Sequence, residues 1–140
     1  MAGFTDEGEI GRGVTGGSAG AILTTEVTVR RKQLGLPLPA ALGIFSGFAD
    51  FSRAGDSWQL FTLNGLPGEL QPTDANHPHD NRYVGKTDRR DPVLSPLFAD
   101  LHGMPPSLLV TSTRDILLSG TTDFSPCAAG CGERCTIGCV

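Results

Sequence analysis

TGGSAGAILTTEVTVRRKQLG, residues 15–35, begins as a glycine turn and continues as a helix. From Ser18 to about Leu34 it sets Ile22, Val27 and Leu34 among polar residues and keeps its charges late. Arg30, Arg31 and Lys32 would occupy the last turn, where cations favour the helix dipole. Gly35 stands where a C-cap glycine ends a helix. The first part, Gly16-Gly17-Ser18-Ala19-Gly20, is a G-x-S-x-G. In a nucleophile elbow the serine sits on a sharp strand-to-helix turn, with its hydroxyl exposed. The next residue's N–H then points at a developing oxyanion, and small flanking residues let the backbone fold back on itself. The helix that follows suits an elbow, whereas EIGRGVT before it makes a poor buried strand. On the motif alone, in a chain with 19 glycines, a glycine-rich turn or an anion-binding helix start competes on level terms.

Outward from this stretch, the apolar run at residues 40–45, bounded by Pro and Gly, reads as a buried strand. Residues 47–95 are rich in Gly, Asp, Asn and Pro, with one helix expected over 57–63 and a long irregular passage through ELQPTDANHPHDNRYVG. Pro105-Pro106 introduces SLLVTS, a second buried strand. Asp115 follows directly, and a helix can start near Ser119. Strands alternating with helices are the rhythm of an α/β fold with a parallel sheet, here of two or three strands.

A chain of 140 residues is one domain by length. Its net charge of −4 argues against nucleic acid as partner, and Arg30-Arg31-Lys32, the only basic cluster, reads as a solvated helix face. No apolar run approaches the roughly 20 residues of a membrane span. The acidic, glycine-rich N-terminus is not a leader, so a cytoplasmic protein with no membrane partner is the expectation.

Several spaced motifs agree in order. GLPLPAALGIFSGFADFSRAGDS is followed by DPVLSPLFADLHGMPPSLLVTSTRDILLSGT. From about Thr15 to Thr122 the chain resembles the hormone-sensitive-lipase-like branch of the α/β-hydrolases. Those esterases carry a G-x-S-A-G elbow and a strand leading to a Ser-Pro-x-x-Asp-like segment, here Ser46-Gly47-Phe48-Ala49-Asp50. They continue with Asp-Pro-x-x-Ser-Pro, matched by Asp91, Pro92, Ser95 and Pro96. Next comes Asp-Leu-x-Gly-x-Pro-Pro, matched by Asp100, Leu101, Gly103, Pro105 and Pro106. The resemblance implies hydrolysis of a small-molecule carboxylic ester through an acyl-enzyme, without metal or other cofactor. Ser18 would be the nucleophile, the Ala19 N–H an oxyanion donor, and Asp115 the acid that orients a histidine.

It also implies strands and a His-Gly-Gly loop before the elbow, and a histidine after Asp115. Neither is in this sequence, whose histidines are His77, His79 and His102, all expected at the surface. The fold expectation is therefore a partial α/β-hydrolase, lacking the N-terminal strands and the C-terminal histidine segment. Uncovered strand edges would favour self-association. Residues 1–14 read as a flexible lead-in, 15–123 as the partial domain and 124–140 as a tail of another kind.

That tail holds all four cysteines, Cys127, Cys131, Cys135 and Cys139, evenly four apart. On one helix the ends would lie about 18 Å apart, too far for one zinc. A disulfide framework needs a secreted small domain. A third reading is a frameshift near Asp123. Shifted one base upstream, every Cys codon becomes Leu, Val or Met, and the allowed string includes ALRSGVRGALHDWV, the helix end, Gly-Val turn and strand start that the resemblance implies. The tail as written has no evident reason to fold. Three functions stay open: an impaired esterase, a non-catalytic remnant or binding protein of the same fold, and a small cysteine metal-binding protein.

Overall fold

The structure, a computed structural model, describes residues 11–47, 49–53, 55–62, 81–129 and 135–139. Strand β1, Val14–Gly17, leads through Ser18 into helix α1, Ala19–Gln33. Strand β2, Leu42–Phe45, precedes two short helices, α2 (Asp56–Thr62) and α3 (Asn81–Val84), and a 3-10 turn at Pro96–Phe98. Strand β3, Ser107–Thr111, helix α4, Leu118–Ala129, and strand β4, Cys135–Cys139, complete the described chain. The four strands form one parallel sheet in the order β1-β2-β3-β4. This is the α/β arrangement that the alternation of elements implies, with four strands instead of two or three.

The differences have physical reasons. β1 was the poor strand candidate because it is a mostly exposed edge strand and half glycine. An edge strand needs neither an apolar run nor two buried faces. Val14, placed in the lead-in by the sequence reading, belongs to it. The tail folds as well: α4 runs on to Ala129, and Cys135–Cys139 pairs with β3 from Ser107↔Cys135 to Thr111↔Cys139. The free edge of β3 offers backbone groups that a further strand satisfies whatever its side chains. The helix expected at 57–63 lies at 56–62; of the passage expected to be irregular, residues 69–85, the part up to 80 is outside the described residues, and Asn81–Val84 forms the short helix α3 instead.

Helix α1 ends as its sequence dictates. Gly35 has φ +65°, its N–H donates to the Lys32 carbonyl at 3.0 Å, and the Leu36 N–H donates to the Arg31 carbonyl at 2.9 Å. That is a Schellman closure, which requires the left-handed residue that glycine supplies. Its buried face is less expected. Val27 and Leu34, two of the three apolar positions in the periodicity, are 54% and 56% exposed, while Thr24, Thr25, Glu26 and Thr28 are buried with Ala21, Ile22 and Val29. Each threonine hydroxyl donates to a carbonyl of its own helix: Thr24 to Gly20, Thr25 to Ile22 and Thr28 to Thr24. A hydroxyl satisfied locally can be buried, so polarity did not mark the outer face.

The main core lies between the sheet and α1 and α4. Ala21 and Val29 meet Leu42, Ile44, Leu109 and Phe124 there. A second cluster joins Ile22 to Phe51, Trp58, Val84, Leu94 and Leu117. On the opposite face of the sheet Phe45 and Leu108 are exposed.

Glu26 is the charged group in this interior, 6% exposed, with one carboxylate oxygen accepting from the Tyr83 hydroxyl and the other buried without a partner among the described residues. Burial pushes its carboxyl above the ordinary 4.5, against the lowering effect of the Tyr83 bond. A raised folded value means that the fold is favoured most below the unfolded value. That contribution disappears as pH rises through the folded value. Glu26→Gln is therefore expected to be more stable than wild type near neutrality, with the advantage vanishing in acid. Denaturant midpoints of the two proteins at roughly pH 4 and pH 8 measure this difference. A pH-independent difference would exclude Glu26 as its source.

Candidate active site

Parallel strands that feed helices bring their C-terminal ends to one edge of the sheet, and ligands of open α/β sheets bind outside that edge. Ser18 stands there, one residue past β1. Its backbone is at φ 52°, ψ −121°, a conformation that a non-glycine residue adopts only where the surroundings enforce it. The turn is clamped on both sides. The Ser18 N–H donates to the Phe45 carbonyl at 3.0 Å, and the Ser18 carbonyl accepts from Ala21 and Ile22. The Ser18 side chain does not cap the helix, and the residue is exposed. The hydroxyl is thus presented to solvent at a strand–helix junction.

Gly16 makes the turn sterically feasible. A Cβ there would lie 2.1 Å from the Gly20 carbonyl oxygen and 2.7 Å from the Ala21 nitrogen. A Cβ at Gly17 would come no closer than 3.8 Å to the Phe45 oxygen, and one at Gly20 would meet nothing within 4 Å. The need for a small residue therefore falls on Gly16. Ala19 is the first residue of α1, so its N–H belongs to the turn of donors that have no partner within the helix. The positive end of the helix dipole is at the same place.

Asp115 lies beyond the C-terminal end of β3, on the same edge. Both carboxylate oxygens are fixed: the Thr111 hydroxyl donates to Oδ2 and the Leu117 N–H to Oδ1, each at 2.9 Å. Thr111, the last residue of β3, was not singled out in the sequence, although its place four residues before the acid is the available signal. With β2 between them, the ends of β1 and β3 are about 10 Å apart at two strand spacings. The structure thus brings Ser18, Ala19 and Asp115 to one edge of the sheet, with the end of β2 between serine and acid.

No described histidine lies at that edge. His102 precedes β3, at the opposite edge of the sheet, with its side chain 78% exposed. Its Nδ1 is 2.8 Å from Asp100 Oδ1, and Lys32 Nζ is 2.8 Å from Asp100 Oδ2. The Lys32 hydrogen bond, followed by those from His102, holds the Asp100 carboxyl well below the usual carboxylate range. Lys32 is in the last turn of α1, which runs back to the start of the strands, so this cluster belongs to the far side. His77 and His79 lie outside the described residues.

A cavity of about 830 Å³ forms a groove along the outer side of α1, starting beside Gly20 and lined by Val14, Leu23, Val27 and Leu38. The exposed apolar residues of α1 face this groove. Among the described residues no group of three or more His, Cys, Asp or Glu is placed to hold a metal ion. Cys127 is in α4, Cys135 and Cys139 are in β4, and Cys131 is outside the described residues, so the four do not share one helix. No helix among the described residues is long and apolar enough to cross a membrane.

Comparison with known proteins agrees with this fold. A family model described as alpha/beta hydrolase fold matches residues 9–139. An acetyl-hydrolase of Streptomyces hygroscopicus is 34% identical over 104 residues, 74% of this chain and 34% of that protein. An esterase of Acinetobacter venetianus is 29% identical over 114 residues, 79% of this chain and 36% of that protein. A solved hormone-sensitive lipase from a metagenome library superposes with a TM-score of 0.78 at 31% identity, over 91% of this chain and 43% of its own. The chain spans about a third of the length of the curated relatives it matches.

Proposed function

Because the chain belongs to the α/β-hydrolase fold family, in its hormone-sensitive-lipase-like esterase branch, we propose that it carries the nucleophile and the acid of a carboxylic ester hydrolase. The observation that supports this most is the strained Ser18, exposed between β1 and α1 on the edge that also holds Asp115. Ser18 Oγ attacks the ester carbonyl carbon, and its proton passes to a base that Asp115 orients. The Ala19 N–H donates to the oxyanion of the tetrahedral intermediate. The intermediate collapses as the alcohol leaves with the proton, and water then releases the acid from the acyl-serine.

A sulfonyl fluoride reports the nucleophile directly, because it forms a stable bond to an activated serine oxygen as fluoride leaves. With imidazole supplied as base, covalent mass is expected on the peptide containing Ser18, and none on Ser18→Ala. Label spread over other serines, or absent from Ser18, would sink the assignment.

A non-catalytic role for the same fold has one observation in its favour: no described histidine reaches the Ser18 edge. On that reading Ser18 would stay unlabelled even with imidazole.

A further inference from the structure

Ser18 has a counterpart. Ser46, one residue past β2, also has φ 52°, and these two are the non-glycine residues with positive φ among the described residues. They are placed alike. Ser18 donates its N–H to the Phe45 carbonyl of the neighbouring strand at 3.0 Å, and Ser46 donates its N–H to the Val110 carbonyl at 2.8 Å. The register Gly17↔Phe45↔Val110 makes Ser18, Ser46 and Thr111 the next row across the sheet. Ser46 thus stands between Ser18 and the threonine that holds Asp115, about one strand spacing, roughly 4.8 Å, from each backbone.

A serine in the left-handed region is strained, and glycine would hold the same turn without strain. The backbone bond to Val110 and the Thr121 hydroxyl on the Gly47 carbonyl hold the turn, yet glycine would keep both, and the Ser46 hydroxyl itself makes no hydrogen bond to a described residue although the residue is half-buried. A strained backbone bearing an unused hydroxyl next to a nucleophile calls for a role in the reaction. Resting geometry is no obstacle, because catalytic hydrogen bonds often form only as charge develops.

Building on the Ser18 assignment, we propose that Ser46 is a positioning residue whose hydroxyl donates to Ser18 Oγ as that oxygen loses its proton to the base. A donor to a charged oxygen is among the stronger hydrogen bonds, so losing it is expected to slow Ser18 modification about tenfold or more. The balance is simple. The Oγ–S bond to a sulfonyl fluoride forms, the S–F bond breaks, fluoride leaves, and the Ser18 proton goes to imidazole. Ser46 keeps its own proton throughout.

The test separates chemistry from stability. The rate of Ser18 modification by a sulfonyl fluoride, in imidazole buffer, is measured beside the thermal midpoint for wild type, Ser46→Gly and Ser46→Thr. Glycine removes both the strain and the hydroxyl. Threonine keeps the hydroxyl and adds strain. The proposal expects Ser46→Gly to match or exceed the wild-type midpoint and react at least tenfold more slowly. Ser46→Thr should melt earlier and react within about threefold of wild type, measured below its midpoint. A merely structural Ser46 gives the reverse order, with rate following stability. Wild-type rates in Ser46→Gly, or equal slowing in both variants, would overturn the role of Ser46 and leave Ser18 in place. Failure of wild type itself to react at Ser18 would overturn both readings.

Discussion

Gly16→Ala is expected to destroy the elbow, with a loss on the order of 3 kcal/mol or more and no detectable modification of Ser18. The added carbon would lie 2.1 Å from the Gly20 oxygen, 2.3 Å from the Gly20 carbonyl carbon and 2.7 Å from the Ala21 nitrogen. All three atoms are backbone of the first turn of α1, so no side chain can rotate away. Relief requires α1 to lift off β1 or to unwind at its start, and either movement uncovers Ala21 and the core beneath it. Against a typical total stability of about 5–15 kcal/mol, such a loss is a large fraction. The control lies in the same motif. Gly20→Ala meets nothing within 4 Å and replaces a helical glycine, so it is expected to stabilise by up to about 1 kcal/mol. Denaturation midpoints of the two variants provide the measurement. Equal effects would show that general glycine flexibility, not the contact at Gly16, shapes the turn.

The second large effect is on turnover. Without a base a serine hydroxyl is a poor nucleophile, because its proton has no destination. Among the described residues the base is missing: His102 is on the opposite edge of the sheet, paired with Asp100. The 140-residue chain as it stands is expected to hydrolyse a short-chain p-nitrophenyl ester barely above buffer, and Ser18→Ala should change little. Added imidazole should then raise the rate, after subtraction of its own catalysis, by about tenfold or more, an increase that Ser18→Ala and Asp115→Ala each remove. Robust turnover without imidazole, abolished by Ser18→Ala, would mean that His77, His79, His102 or a second chain supplies the base.

The turn before α1 was visible as Gly16, Ser18 and Gly20 in five residues with a helix directly after, but that signature alone left an anion-binding turn on level terms, and the motifs further along the chain decided the reading. The strands at Leu42–Phe45 and Ser107–Thr111 were legible because they are central, and central strands in parallel sheets are apolar runs. Val14–Gly17 and Cys135–Cys139 were not. They occupy the two edges, where pairing depends on backbone groups offered by a neighbour, a property that composition does not record. The inner face of α1 was misjudged for a related reason. Thr24, Thr25 and Thr28 satisfy their hydroxyls within the helix and go inside, while of the apolar positions Ile22 goes in and Val27 and Leu34 stay out, so apolar spacing marked the helix but not its buried face. At the site, Ser18 and Asp115 were candidates through the family resemblance, and their roles remain proposals. The Thr111 bond and the twin conformation of Ser46 arise from register between segments far apart in the chain, and only folding brings them together.

Among the described residues, the order of strands across the sheet is the order of synthesis. Each later strand finds its neighbour already made, so none of these four waits for a later strand to be slotted between it and its partner. A chain emerging from the ribosome can close β1 on β2 around α1 as a seed. The wait then falls between Phe45 and Ser107, the longest interval between paired strands, during which β2 has one unprotected side. During that interval the open side of β2 is the edge that another strand or a chaperone would meet.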